Sequence, residues 1–158
     1  MRGLMIACVL VLLGCAMKPA AAQPSAPASN AVETCLASAG RDHAAQRACV
    51  GRVMAQCIES DDANSTTPGM VACAGAERAQ WAALRETYVA QLRQESETQR
   101  ALLDAMLTEN AAWARARCAY AASYYEGGTL ARVQGAACMR DTEADLALDL
   151  HGRLFDDR

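Results

Sequence analysis

The chain has 158 residues, a formal net charge of −3, eight cysteines and only 4% aromatic residues. That length fits one domain of ordinary size, and a mild acid excess with no basic, aromatic-interleaved patch excludes a nucleic-acid-binding module. Abundant alanine and scarce β-branched residues exclude a sheet-rich fold and predict closely packed helices, an all-α class.

Met1-Arg2-Gly3 is followed by an apolar run over residues 4–13. One positive charge ahead of a short apolar stretch is the pattern of a secretory signal peptide, assigned to residues 1–22. The run is too short to span a bilayer, which takes about 20 apolar residues, and no later stretch is long and apolar enough. Two cleavage readings stay open. A cut after Ala20-Ala21-Ala22 releases a soluble protein beginning at Gln23. Leu12-Leu13-Gly14-Cys15 resembles a bacterial lipobox, in which Cys15 would be lipidated and would anchor the protein to the membrane. The first is favoured, because Leu13 is a weak residue for its lipobox position. Loss of Arg2 and Lys18, the sole lysine, makes the chain more acidic.

Residues 23–30 (QPSAPASN) form a Pro/Ser/Ala-rich linker, predicted to be disordered. Ala31 to Glu59 reads as a helical extension with a break near Gly40-Arg41-Asp42. Within it Cys49, Val53 and Cys57 recur at i, i+4, i+8, one helix face. Ser60 to Thr67 is a polar turn. A long helix follows, with Thr67 as N-cap and Pro68 as first helical residue. Its apolar stripe is Trp81, Leu84, Tyr88 and Leu92. Ser96-x-x-Gln99 is a capping box, so a new helix begins at Glu97. Leu102, Met106, Trp113, Tyr120 and Tyr124 are predicted to line its buried face. Gly127-Gly128 ends it, since glycine tolerates the left-handed conformation there. Thr129 is expected to cap a short helix through Met139. Thr142-x-x-Asp145 then opens a last helix bearing Leu146, Leu150 and Leu154.

Cys35, Cys49, Cys57, Cys73, Cys118 and Cys138 remain after the signal, and no two are spaced C-x-x-C. An even, widely spaced set behind an export signal reads as a disulfide framework. Zinc needs clustered ligands, and only His43 and His151 accompany these cysteines; both are expected to be solvated surface residues. No metal and no cofactor is therefore expected. The carboxylate groups Asp61/Asp62, Glu95/Glu97 and Asp141/Glu143/Asp145 lie at turns or helix ends, where acids cap helices. No Gly-x-Ser-x-Gly or Ser/His/Asp pattern is present. The reading is a non-enzyme.

Three segments carry a resemblance. The first is Thr67-x-x-Met70-x-x-Cys73-x-x-x-Glu77 with Trp81, Leu84 and Tyr88. The second is Cys118-Ala119-Tyr120 leading to Tyr125-Glu126-Gly127-Gly128-Thr129. The third is Cys138 with Thr142 and a leucine-bearing helix. Together, over residues 57–150, they resemble the lysozyme inhibitor LprI family of small exported bacterial proteins. The chain departs from the family pattern at Trp81 and Arg85, where Asp and Asn are usual, around Trp113, Arg115 and Arg117, and at Asp145. The resemblance implies a small antiparallel helical bundle, disulfide-bonded and periplasmic or secreted, with residues 60–158 as the family-like domain. It also implies a protein partner, lysozyme. The rival reading is an envelope structural or interaction module without lysozyme inhibition.

Six cysteines allow 15 pairings. The pairing of neighbours, Cys35–Cys49, Cys57–Cys73 and Cys118–Cys138, is expected because each pair flanks one turn. The candidate binding segment is Tyr124, Tyr125, Glu126, Gly127, Gly128 and Thr129, an aromatic and acidic loop between two bridged helices. Against it stands a plainer reading, in which Tyr124 is core and Gly127-Gly128 only stops a helix. Trp81 and Trp113 are both expected to anchor the core.

Overall fold

The computed structural model describes residues 30–155. The signal segment, both cleavage readings with Cys15, and residues 23–29 of the linker lie outside the described residues. The elements are α1 (Ala31–Ala39), α2 (His43–Arg47), α3 (Arg52–Glu59), a 3-10 turn (Asp62–Ser65), α4 (Thr67–Leu92), α5 (Glu97–Ser123) and α6 (Leu130–Phe155). Among the described residues every regular element is helical.

Local chemistry sets most boundaries. Gly40 takes a positive φ of 58° and closes α1; Asp42 then caps α2 by accepting hydrogen bonds from the amides of Ala44 and Ala45. A second break, missed in the sequence, falls at residues 48–51, so the extension forms three helices. Thr66, one residue before the expected cap, accepts from the Gly69 amide at 3.2 Å and starts α4. Gly69 has no room for a side chain: a Cβ there would lie 2.5 Å from the Ala63 carbonyl oxygen. The Ser96–Gln99 capping box forms as expected and starts α5 at Glu97.

Three long helices run up, down and up. The first and third, α4 and α6, are therefore parallel, and they form the closest pair, with α5 packed on α6. Glu77 faces Arg140, Trp81 packs in one cluster with Ala144 and Ala147, and Tyr88 meets His151 edge-on at 5.6 Å. Ala74, Ala144 and Ala147 are fully buried along this seam; their small side chains let the backbones approach. The helices α1 and α3 cover the start of the seam, where Val32, Leu36, Cys49 and Val53 join Trp81. A second cluster of Tyr88, Val89, Leu150 and Leu154 closes the other end, flanked by Leu103, Met106 and Leu107 of α5.

Three disulfides staple the bundle: Cys35–Cys49, Cys57–Cys73 and Cys118–Cys138. The first ties α1 to the turn before α3, the second ties α3 to α4, and the third ties α5 to α6.

Three expectations fail. α6 is one continuous helix, not two. Thr142 is buried inside it and its hydroxyl donates back to the Cys138 and Met139 carbonyls, both at 3.1 Å, instead of capping a new start. No glycine or proline breaks residues 136–151, and packing on α4 sustains the helix throughout. His151 is not a solvated surface residue, since it lies half-buried between Tyr88 and Phe155. Most informative is α5: its predicted buried face is largely exposed. Leu102 is 66% exposed, Trp113 53%, Tyr120 66% and Tyr124 69%. Met106 alone of that set is partly covered. The residues α5 buries fully are Ala114 and Cys118.

Candidate functional site

A buried carboxylate organises the end of the bundle opposite the α4–α5 turn. Glu77 is 0% exposed and accepts from three donors: the Gly51 amide at 2.6 Å, the Met54 amide at 2.7 Å and the Trp81 indole at 3.1 Å. Arg140 stands at 3.9 Å. Glu77 thereby satisfies two free amides at the N-terminus of α3, and its charge suits that end of the helix dipole. Oε1 accepts two of these bonds and Oε2 the third, and the side chain is fully buried. This carboxylate holds structure and is not poised for acid–base chemistry.

The accessible chemistry lies on α5 and the loop after it. One turn of helix covers 3.6 residues, so Trp113, Tyr120 and Tyr124 at spacings of seven and four share one face. The stripe from Trp113 to Tyr124 is about 16 Å long at 1.5 Å per residue. Its rings are ordered by one another. The Arg117 guanidinium sits over Trp113 at 5.0 Å, a cation–π contact. Tyr120 and Tyr124 meet edge-to-face with centroids 5.2 Å apart and share a hydrogen bond between their hydroxyls. That bond raises the pKa of Tyr124 above its ordinary value.

The stripe runs directly into the candidate loop. Tyr124, Tyr125, Glu126, Gly127, Gly128 and Thr129 are all exposed. The plainer reading of Tyr124 as core therefore fails. The loop is a chain of tight turns: the Tyr125 amide donates to Ala122, Glu126 to Ser123 and Gly128 to Tyr125, at 3.0–3.2 Å. Gly127 makes the reversal with φ +80°, a conformation that side-chain-bearing residues rarely adopt. The Cys118–Cys138 bridge, with a Cα–Cα distance of 5.4 Å, pins both helices that carry the loop. A partner would meet a preset turn, and little ordering entropy would be lost on contact.

Trp113 and Tyr120 belong with this surface, although the sequence had assigned them to the core. The signal that separates them is Cys118. A bridged cysteine faces the partner helix, and Tyr120 lies two residues on, about 200° around the helix axis. Tyr120 must then point away.

Among the described residues no group of three or more His, Cys, Asp or Glu side chains is placed to hold a metal ion. No described helix is long and apolar enough to cross a membrane. A bundle with three disulfides, a buried structural carboxylate and an exposed aromatic edge belongs to the class of disulfide-stapled helical bundles. The sequence model of the family described as lysozyme inhibitor LprI matches residues 57–150, more than half of the chain, and the chain belongs to that family. No curated protein and no solved structure matches it.

Proposed function

We propose that the protein binds a lysozyme-type peptidoglycan hydrolase and blocks its substrate cleft, and that it is not itself an enzyme. The observation that carries this reading is the family match, which spans both helices that hold the loop and both cysteines that pin it. The contact surface is the loop Tyr124–Thr129 together with Trp113 and Tyr120. Exposed tyrosine and tryptophan supply contact area at low entropic cost. An acidic inhibitor also gains encounter rate toward a basic enzyme.

The same reading places the protein outside the cytoplasm, in the periplasm or secreted. Three disulfides persist in an oxidising compartment, and the first 22 residues read as an export signal. Mass spectrometry of the mature N-terminus separates a chain starting at Gln23 from one anchored through a lipidated Cys15.

Inhibition by purified, oxidised protein is the test. Titration into a lysozyme assay should abolish activity, and Tyr125→Ala/Glu126→Ala should weaken inhibition. Full lysozyme activity at a large molar excess would overturn the proposal. Capture of an envelope assembly protein, undisturbed by the double variant, would support the rival reading of an envelope interaction module.

A further inference from the structure

Between α4, α5 and α6 two cavities follow one another along the bundle. The first is about 400 Å³ and is lined by Arg78 and Arg85 from α4, Asn110 and Arg115 from α5, and Glu143 from α6. The second is about 540 Å³ and is lined mainly by Leu92, Leu102, Leu103, Met106 and Leu150. They adjoin: Met106 lines one and Leu107 the other, and Leu150 and Leu146 do the same on α6. Volumes of about 300–1,000 Å³ are typical of small-molecule sites.

The first cavity carries more positive charge than it neutralises. Arg85 is committed: its Nε donates to Glu143 at 2.5 Å, and a second nitrogen meets the outer carboxylate of Glu86 at 2.9 Å. Arg78 holds Glu143 only loosely, at 3.6 Å. Arg115 and Asn110 have no hydrogen-bond or ion-pair partner among the described residues. A guanidinium and an amide, both donors, thus stand unused on the wall of a cationic cavity in a chain of net charge −3. The second cavity offers the opposite chemistry. Leu102 is 66% exposed at its side, and its few polar members, Glu95, Gln99 and Arg153, contribute one charge of each sign.

We propose that these two cavities form one site for a single-chain anionic amphiphile, with its hydrocarbon chain against Leu92, Leu103, Met106 and Leu150. Its carboxylate is received by Arg115, Arg78 and the Asn110 amide. Charge-assisted hydrogen bonds from guanidinium to carboxylate set the polarity of the bound ligand, and burial of the chain supplies the rest of the affinity. On α5, Leu102 and Met106 continue the face of Trp113 and Tyr120 toward the α4–α5 turn, so the site adjoins the proposed inhibitor surface at the end away from the Tyr124–Thr129 loop.

Calorimetric titration of the oxidised protein with dodecanoate, dodecanol and acetate, below micellar concentrations, tests the proposal. Dodecanoate should bind one to one, dodecanol at least tenfold more weakly, and acetate below detection. Arg115→Gln should weaken dodecanoate about tenfold. Leu102→Asp, a change at an exposed position that leaves the helical circular dichroism intact, should abolish binding. No dodecanoate binding, equal binding of dodecanol, equal binding of acetate, or an unchanged affinity in Arg115→Gln would each overturn it.

Discussion

Trp81 on α4 and Trp113 on α5 occupy similar places in two apolar stripes of similar spacing, and their surroundings differ completely. Trp81 is 0% exposed, hydrogen-bonded to Glu77 and packed against Ala144 and Ala147. Trp113 is 53% exposed and has Arg117 across its face. The contrast teaches that helical spacing identifies a stripe, whereas burial depends on what the facing helix offers. Along α4 and α6 alanines lie opposite large side chains, and the seam closes. On α5 the inward positions near Trp113 are themselves small, Ala114 and the bridged Cys118, so that part of the helix packs on α6 through a narrow face. Its aromatic side chains are turned to solvent, whereas Leu103, Met106 and Leu107 nearer its start pack on the second cluster.

The greatest stability loss should come from breaking the seam. Trp81→Ala should cost about 3–5 kcal/mol, the range for removing a buried aromatic residue. Glu77→Ala should rank close behind, because it strands the Gly51 and Met54 amides and the Trp81 indole. Urea denaturation of both variants checks this; a loss as small as that of a surface variant would break the comparison.

Next in size is the bridge that rotates α5. Replacing Cys118 and Cys138 by serine opens a loop of about 20 residues and should cost roughly 3 kcal/mol. The same pair should lose lysozyme inhibition faster than stability at moderate temperature, because the loop is no longer pinned. Thermal melts and inhibition curves measured on one preparation would separate the two effects.

A smaller effect is alkaline. Burial first, and the charge of Glu33 second, raise the pKa of Tyr88 above its ordinary value of 10.0. The unfolded chain then releases this proton before the folded one does. Stability from this group is complete below about pH 10 and is lost as pH rises through the higher folded value. In Tyr88→Phe that part of the alkaline decline should disappear, as read from denaturation midpoints on either side of pH 10.

The smallest stability effect belongs to the outer face of α5. Trp113→Ser and Tyr120→Ser should change stability by less than about 0.5 kcal/mol, as exposed positions usually do. Their inhibitory potency should nevertheless fall. A large drop in melting temperature would show that these rings carry packing energy, and the contrast with Trp81 would collapse.

Much of this molecule was legible in the chain. The Ser96–Gln99 box starts α5, and the periodicity of Trp81 and Tyr88 marks a face that is buried; Gly127 reverses the chain in the loop, but α5 itself already ends at Ser123. Such signals act between residues a few positions apart, where backbone hydrogen bonding and steric limits depend little on the rest of the fold. Other patterns misled because they serve two uses. Thr142-x-x-Asp145 offers the groups of a capping box, but within a helix the threonine hydroxyl bonds the preceding turn equally well.

The sequence by itself determined an all-helical bundle with cysteines flanking its turns, since propensity, caps and spacing are local properties. Tertiary structure alone decided that α4 and α6 run parallel and in contact, that α6 is unbroken, and that the aromatic stripe of α5 faces outward. Those outcomes depend on which surfaces fit most closely once the helices exist. Here the small side chains and the Cys118–Cys138 bridge fixed the rotation of α5, and its aromatic ones took the side that was left.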